Sequence, residues 1–237
     1  PETAELIKYA SNAFLATKIS FINEIAELCE AVGADLPTVA RGMGLDHRIG
    51  PEFLAAGPGY GGSCFPKDTK ALIHLARTHG KQVSIVEATD AVNTRVQKKM
   101  LAKIIRTLDP PTGKTIAVFG LAFKANTDDL RDSPALPIIE GLLRAGAQIR
   151  VHDPKALAAG KGVFGDKITY CEDEYTAAQN ASAVVIVTEW EQYRQLNLDL
   201  LKAKMAQAIV IDLRNLLPPE QVRAHGFIYE GIGRGSK

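Results

Sequence analysis

The tract Asp109-Pro110-Pro111-Thr112-Gly113 separates two stretches of this 237-residue chain that repeat with different periods. Before it, apolar residues return every three or four positions, the spacing of helices packed along one side. After it, short β-branched runs alternate with helical segments, the pattern of a parallel sheet. A proline pair followed by glycine continues neither pattern, so the tract is read as a domain boundary. The expected fold class is α/β. An all-helical domain over residues 1–109, carrying the dimer contact, precedes a Rossmann-like parallel-sheet domain over 110–237.

In the helical half, Phe14, Phe21, Ile25, Leu28 and Val32 make one stripe, and Leu15, Ala16 and Ile19 lie on the other side beside Lys8, Asn12 and Asn23. Two apolar faces predict a helix packed on both sides, with Gly33 as its stop. A short helix is expected over Leu36–Met43, another over Thr69–Thr78 and a long one over Ser84–Leu108. In the last, Val92, Val96, Met100, Ile104 and Leu108 recur every four residues. These stripes ask for more cover than a small helical domain supplies, which predicts a two-fold dimer. In the second half, strands are expected at Thr115–Phe119, Gln148–His152, Ala183–Thr188, Ile209–Asp212 and Phe227–Tyr229, with a helix over Pro134–Ala145. Parallel strands joined by helices wind right-handedly.

Charge excludes several classes of function. Lys and Arg total 28 against 27 Asp and Glu, a net charge of +1, so there is no basic footprint for nucleic acid or an anionic membrane. No apolar run is long enough to span a bilayer. Three cysteines, an odd number without framework spacing, point to reduced thiols and a cytoplasmic setting. The five histidines show no metal-ligand spacing, so no metal is expected. The chain opens Pro1-Glu2-Thr3-Ala4-Glu5, without Met, and is read as starting at an internal boundary of something longer.

Cys64 is the sharpest chemical feature. Gly59, Gly61 and Gly62 let the backbone fold tightly ahead of it. Ser63 is a good cap and Pro66 suits a first turn, which places Cys64 at a helix N-terminus beside Lys67, where a thiolate is favoured. Asp68 falls one turn on. A nucleophilic sulfur near a carboxylate suits covalent attack followed by attack of water; the competing reading is an inert core cysteine after a glycine turn. Lys8 and Asn12, one helical turn apart, can face a developing oxyanion, or else bond to a neighbouring loop. In the sheet domain, ligands bind beyond the carboxyl ends of the strands. There Lys124 and Arg214 can clamp a diphosphate and Phe123 can flank a base; alternatively they are ordinary surface charges. G-x-G-x-x-G is absent after the first strand, so no standard dinucleotide fingerprint is present.

Lys8-Tyr-Ala-Ser-Asn12 through Asn23-Glu24, Gly61-Gly62-Ser63-Cys64-Phe65-Pro66-Lys67-Asp68, Gly120-Leu-Ala-Phe-Lys124, Thr188-Glu-Trp190 and Asp212-Leu-Arg214 together resemble the UDP-glucose/GDP-mannose dehydrogenase family, in order and along essentially the whole chain. The resemblance implies oxidation of a sugar C6 alcohol to a carboxylate with two NAD⁺, through a thiohemiacetal and then a thioester on Cys64. It implies oxyanion or water stabilisation by Lys8 and Asn12, and help from Asp68 in the base chemistry. Arg48 (from a partner subunit), Phe53, Tyr60, Gly61, Phe123, Lys124 and Arg214 are implied to hold the substrate, and Lys67 and Arg131 to contact NAD. UDP-glucose is the implied substrate. Another nucleotide sugar such as GDP-mannose, or a non-catalytic nucleotide-sugar-binding and dimerisation module, stand as alternatives. The family also carries an N-terminal NAD-binding domain that is not in this sequence.

Overall fold

The computed structural model describes residues 2–234. They form two compact units: one runs through Val96 and takes back the chain from Ile232, and the other is Gln97–Gly231. The long helix that follows Ser84 therefore contributes its first half to one unit and its second half to the other.

The first unit is helical, with α1 (Glu2–Val32), α2 (Leu36–Gly44), α3 (Phe65–Thr78) and the start of α4 (Ser84–Leu108). α1 packs on α3. It is also pinned to α4, where Ser20 Oγ donates to the Thr89 carbonyl at 3.1 Å and the Thr17 and Thr89 hydroxyls meet at 3.0 Å. Asp35 caps α2 by accepting from the Thr38 amide at 3.1 Å. The returning chain end adds to this unit: the Leu36 amide donates to the Gly233 carbonyl, and Arg234 lies 3.4 Å from the Asp35 carboxylate.

The apolar stripes behave differently from one another. Val92, Val96, Met100, Ile104 and Leu108 of α4 are all buried within the chain. On α1, Ala13, Ala16, Ile22, Ala26 and Cys29 are buried, while Ile7, Phe14, Phe21 and Leu28 are 46–66% exposed. The α4 stripe thus needs no outside partner, and one face of α1 is left open.

The second unit holds six parallel strands: β1 (Thr115–Phe119), β2 (Gln148–His152), β3 (Thr169–Tyr170), β4 (Ala183–Ile186), β5 (Ile209–Asp212) and β6 (Ile228–Glu230). Their order is β3-β2-β1-β4-β5-β6, so the winding reverses between β1 and β4. α5 (Ala135–Arg144) and five short helices, α6 (Leu157–Phe164), α7 (Glu174–Ala177), α8 (Glu191–Arg194), α9 (Leu198–Lys204) and α10 (Pro219–Ala224), complete it. Every residue of β4 and β5 is buried, as strands covered on both faces must be. β4 ends two residues earlier than expected because Val187 and Thr188 turn to donate to the Phe119 carbonyl.

That turn closes on Gly120, which has φ +100°, a conformation open mainly to glycine. A Cβ there would lie 2.3 Å from Thr188 Cβ and 2.8 Å from its backbone nitrogen. We expect Gly120→Ala to lower the stability measured by urea unfolding by about 1–3 kcal/mol, from backbone strain and overpacking. An unchanged midpoint would contradict the packing at this crossover.

Candidate functional site

The helical unit gathers its chemistry around one buried carboxylate. Asp68 is fully buried in the first turn of α3. Its Oδ1 accepts from Lys67 Nζ at 2.7 Å, and its Oδ2 accepts from Asn12 Nδ2 at 2.6 Å. Lys8 Nζ lies 3.5 Å from the same Oδ2. Burial pushes the Asp68 pKa up, but hydrogen bonds from Lys67 and Asn12 and the charges of Lys67 and Lys8 outweigh it, so the group is held below the usual carboxylate value. The same bond to Asp68 raises the Lys67 ammonium. Lys8 and Lys67 keep more than half their side chains exposed, so each also faces solvent.

Cys64 stands at the entry to this helix. It is the N-cap of α3 itself, not Ser63 as expected, and it makes no side-chain cap bond. The Asp68 amide donates to the Cys64 carbonyl at 2.8 Å, which puts the two residues one turn apart. α3 starts at Phe65, four residues before the expected start, because Pro66 suits a first turn. Cys64 is exposed, whereas Cys29 and Cys171 are buried. Burial pushes both buried thiols up, helped at Cys29 by Asp35 and opposed at Cys171 by Arg150.

The glycine loop before Cys64 is buried and tied to two helices. Asn93 of α4 accepts from the Tyr60 amide at 2.8 Å and donates to the Tyr60 carbonyl at 3.1 Å. Asn23 of α1 accepts from the Gly57 amide at 2.9 Å. Gly59 and Gly62 take positive φ, while Gly61 is buried between them. Tyr60 is buried, and burial with the nearby Asp90 pushes its hydroxyl up to about 12, opposed by Thr69. Phe65 packs against both Tyr60, edge-on at 6.0 Å, and Phe53 at 6.1 Å. Phe53 is partly exposed with φ 63°, unusual for a bulky residue. Arg48 is turned onto Asp46, which it grips through Nε and Nη2, and lies away from this cluster's hydrogen bonds.

In the sheet unit, the ends of β1, β4 and β5 bring Phe123, Lys124 and Arg214 into one region. Lys124 Nζ lies 5.4 Å over the Phe123 ring and is exposed. Arg214 Nε donates to the Val187 carbonyl at 2.7 Å and lies 3.1 Å from a Glu189 carboxylate oxygen; its Nη2 reaches the Phe123 carbonyl at 3.4 Å. Burial lowers the Arg214 pKa, opposed by Glu189 and Asp212. Arg131 projects from the same loop and pairs with Asp129 at 2.7 Å. Asp153, like Asn93 of α4, carries no signal in the sequence. It is 1% exposed, at the end of β2, and accepts from the Leu121 amide at 2.7 Å and the Ala122 amide at 3.0 Å. A His-Asp-Pro turn has no periodic signal to single it out.

A dinucleotide does not fit this sheet in the usual way. Its diphosphate would need the free N–H groups of the loop after β1. Those of Leu121 and Ala122 are taken by Asp153, and the Gly120 N–H donates to the His152 carbonyl.

Residues 2–95 match the model of the UDP-glucose/GDP-mannose dehydrogenase family central domain, and residues 117–219 match that of its UDP binding domain. The chain is 51% identical over 233 residues to the UDP-glucose 6-dehydrogenase of Rhizobium meliloti (strain 1021), covering 98% of this chain and 53% of that protein. It is 46% identical to the UDP-glucose 6-dehydrogenase TuaD of Bacillus subtilis (strain 168), covering 98% and 50%. A UDP-glucose dehydrogenase structure from Pyrobaculum islandicum superposes with a TM-score of 0.88 at 39% identity, covering 100% of this chain and 52% of that one. The chain spans about half the length of the curated relatives it matches.

Two outcomes follow from the Asp68 cluster. A depressed folded-state pKa contributes stability that is present above the unfolded value of about 4 and is lost as pH falls through the folded one. The stability advantage of the wild type over Asp68→Asn, read from urea midpoints, should hold steady through neutral pH and shrink below about pH 4. A gap independent of pH would show that the carboxylate charge is not what these donors hold. Iodoacetamide followed by peptide mass mapping should modify Cys64 well before Cys29 or Cys171; an earlier label on either buried thiol would overturn the assignment.

Proposed function

The chain belongs to the UDP-glucose/GDP-mannose dehydrogenase family, and on that premise we propose that it is the nucleophile-bearing and nucleotide-holding part of a UDP-glucose 6-dehydrogenase, which oxidises UDP-glucose to UDP-glucuronate. The observation that carries this reading is an exposed Cys64 one helical turn from a buried Asp68 that gathers Asn12, Lys8 and Lys67. The family implies NAD⁺, two per sugar, as hydride acceptor, with Lys67 and Arg131 as its contacts. The amides of the loop after β1 are engaged within the chain and do not cradle its phosphates, and hydride removal is assigned to no residue of this chain.

What the chain's own residues do is the acyl chemistry. Cys64 sulfur adds to the C6 aldehyde carbon, and the carbonyl oxygen takes a proton to give a thiohemiacetal. This keeps the reactive aldehyde bound between the two oxidations. Once that carbon is at the thioester level, water attacks it, the C–S bond breaks, and the carboxylate, the Cys64 thiol and a proton are released. Charge builds on the C6 oxygen in both additions. The Lys8 ammonium and the Asn12 amide are the donors suited to it, since both are already aligned by Asp68. Asp68 itself, held ionised by its donors, is a weak proton acceptor. Its help to the attacking water is that of a hydrogen-bond acceptor and of an anchor.

Nucleotide recognition is assigned to Phe123, Lys124 and Arg214 of the sheet unit, with Phe53, Tyr60 and Gly61 on the sugar and Arg48 acting from a partner subunit. Arg214 is already fixed by Val187 and Glu189, so it meets a diphosphate preorganised. In the intact enzyme, Cys64→Ala should abolish release of UDP-glucuronate while calorimetry still detects UDP-glucose, bound more tightly than GDP-mannose. Undiminished turnover, or a preference for GDP-mannose, would overturn the reading.

The chain is further proposed to be a homodimer through α1. Ile7, Phe14, Phe21 and Leu28 share one face and are all largely exposed, more apolar surface than one helix of a monomer normally leaves open. Sedimentation equilibrium at micromolar concentration should give twice the mass of one chain, and Phe14→Asp with Phe21→Asp should halve it. A wild-type monomer would refute the dimer.

A further inference from the structure

Asp153 is a buried carboxylate surrounded by hydrogen-bond donors, and among the described residues no ion pair to it is formed. Its Oδ2 accepts from the Leu121 and Ala122 amides and from Trp190 Nε1 at 3.2 Å. Its Oδ1 accepts from the Lys155 amide at 2.9 Å and the Ala156 amide at 2.8 Å. Five N–H groups on one carboxylate is a fully solvated anion with protein in place of water.

Other polar groups of the loop it grips are engaged as well. The Leu121 carbonyl accepts from Ser133 Oγ at 2.6 Å, and the Ala122 carbonyl accepts from Thr188 Oγ1 at 2.6 Å. The next residue is Phe123, whose amide donates to the Asp129 carbonyl at 3.1 Å and whose carbonyl receives Arg214. The segment from Gly120 to Phe123 is thus tied at each residue, and it ends on the residues assigned to the nucleotide.

We propose that Asp153 is a positioning residue for nucleotide binding. Its carboxylate fills the anion position of the loop after β1, so the backbone amides there are spent internally. The loop then offers a nucleoside diphosphate only the side chains of Phe123, Lys124 and Arg214, in a fixed arrangement. This rests on the assignment of those three residues to the nucleotide. It also accounts for a sheet of dinucleotide-binding topology that does not take a dinucleotide in the usual way: a phosphate brought to Leu121 and Ala122 would meet a carboxylate already bonded to them.

In Asp153→Asn, one side-chain oxygen becomes an NH₂, so either the Leu121 and Ala122 amides or the Lys155 and Ala156 amides lose their acceptor. UDP, titrated calorimetrically into the full chain, should bind about tenfold more weakly or worse, the equivalent of one or two lost charge-assisted bonds. In Asp153→Ala, which leaves room for a small carboxylate, excess formate should restore part of that affinity while leaving the wild type unaffected. A purely structural residue would not give that rescue. Amide hydrogen exchange tests the lock without a variant: Leu121 and Ala122 should be protected in the free wild-type chain and no further protected by saturating UDP. Fast exchange in the free chain, strong added protection by UDP, or unchanged UDP affinity in a folded Asp153→Asn would each overturn the proposal. If those amides are protected and exchange faster in Asp153→Asn, yet the wild type binds no UDP, the lock stands and the nucleotide assignment falls with the positioning role.

Discussion

Burying the Asp68 carboxylate is the interaction on which the chemistry-bearing part of the helical unit depends. An isolated carboxylate removed from water costs several kcal/mol, so the site exists only because donors converge on it from two helices. Asn12 and Lys8 come from α1, and Lys67 comes from the same turn as Asp68 itself. Each donor is thereby fixed relative to the start of α3, where Cys64 sits. Removing any one leaves the others facing a carboxylate with an unmet demand. For that reason, substitutions at Asn12 or Lys8 will change more than the group they delete.

The sheet unit uses a buried carboxylate to a different end. Asp153 gathers four backbone amides and the Trp190 indole, and what it ties down is the start of the loop after β1. In the proposed reading, recognition of phosphate passes from backbone N–H groups to an exposed Lys124 and a partly buried Arg214. Contacts of that kind respond to ionic strength far more than a helix N-terminus or an amide nest does, at least where the lysine is concerned. Arg214, fixed by Val187 and Glu189, is the less screened of the two.

Much of the architecture can be read from periodicity, because long elements repeat their pattern often enough to be seen. α4 has the expected bounds, and four strands, β1, β2, β4 and β5, lie where β-branched runs place them. Helices between the strands are expected, but periodicity does not bound α6 to α10, because four to eight residues make only one or two turns. β3, of two residues, has no period at all. At the candidate site, Cys64, Asp68, Asn12 and Lys8 were legible because glycines, a proline and an i, i+4 spacing mark them. Asp153 and Asn93 were not: each looks like an ordinary polar residue in a turn or a helix, and only the tertiary fold brings a backbone to it. Periodicity likewise showed that α1 has two apolar faces without showing which one the chain covers.

The open face of α1 has a geometry of its own. Ile7, Phe14, Phe21 and Leu28 recur every seven residues along a helix of 31. A straight helix turns once in 3.6 residues, so a seven-residue repeat drifts by about 20° per repeat around the cylinder. The exposed stripe is therefore a shallow left-handed spiral. A mate that follows it must cross α1 at a small angle, near 20°, and wind around it. Such a seam admits registers separated by whole heptads, and two aromatic rings among smaller side chains are what select one of them. The shape of this interface would then be set by the spacing of side chains on one helix, and it would respond to the insertion of a single residue more sharply than to the loss of any one of the four.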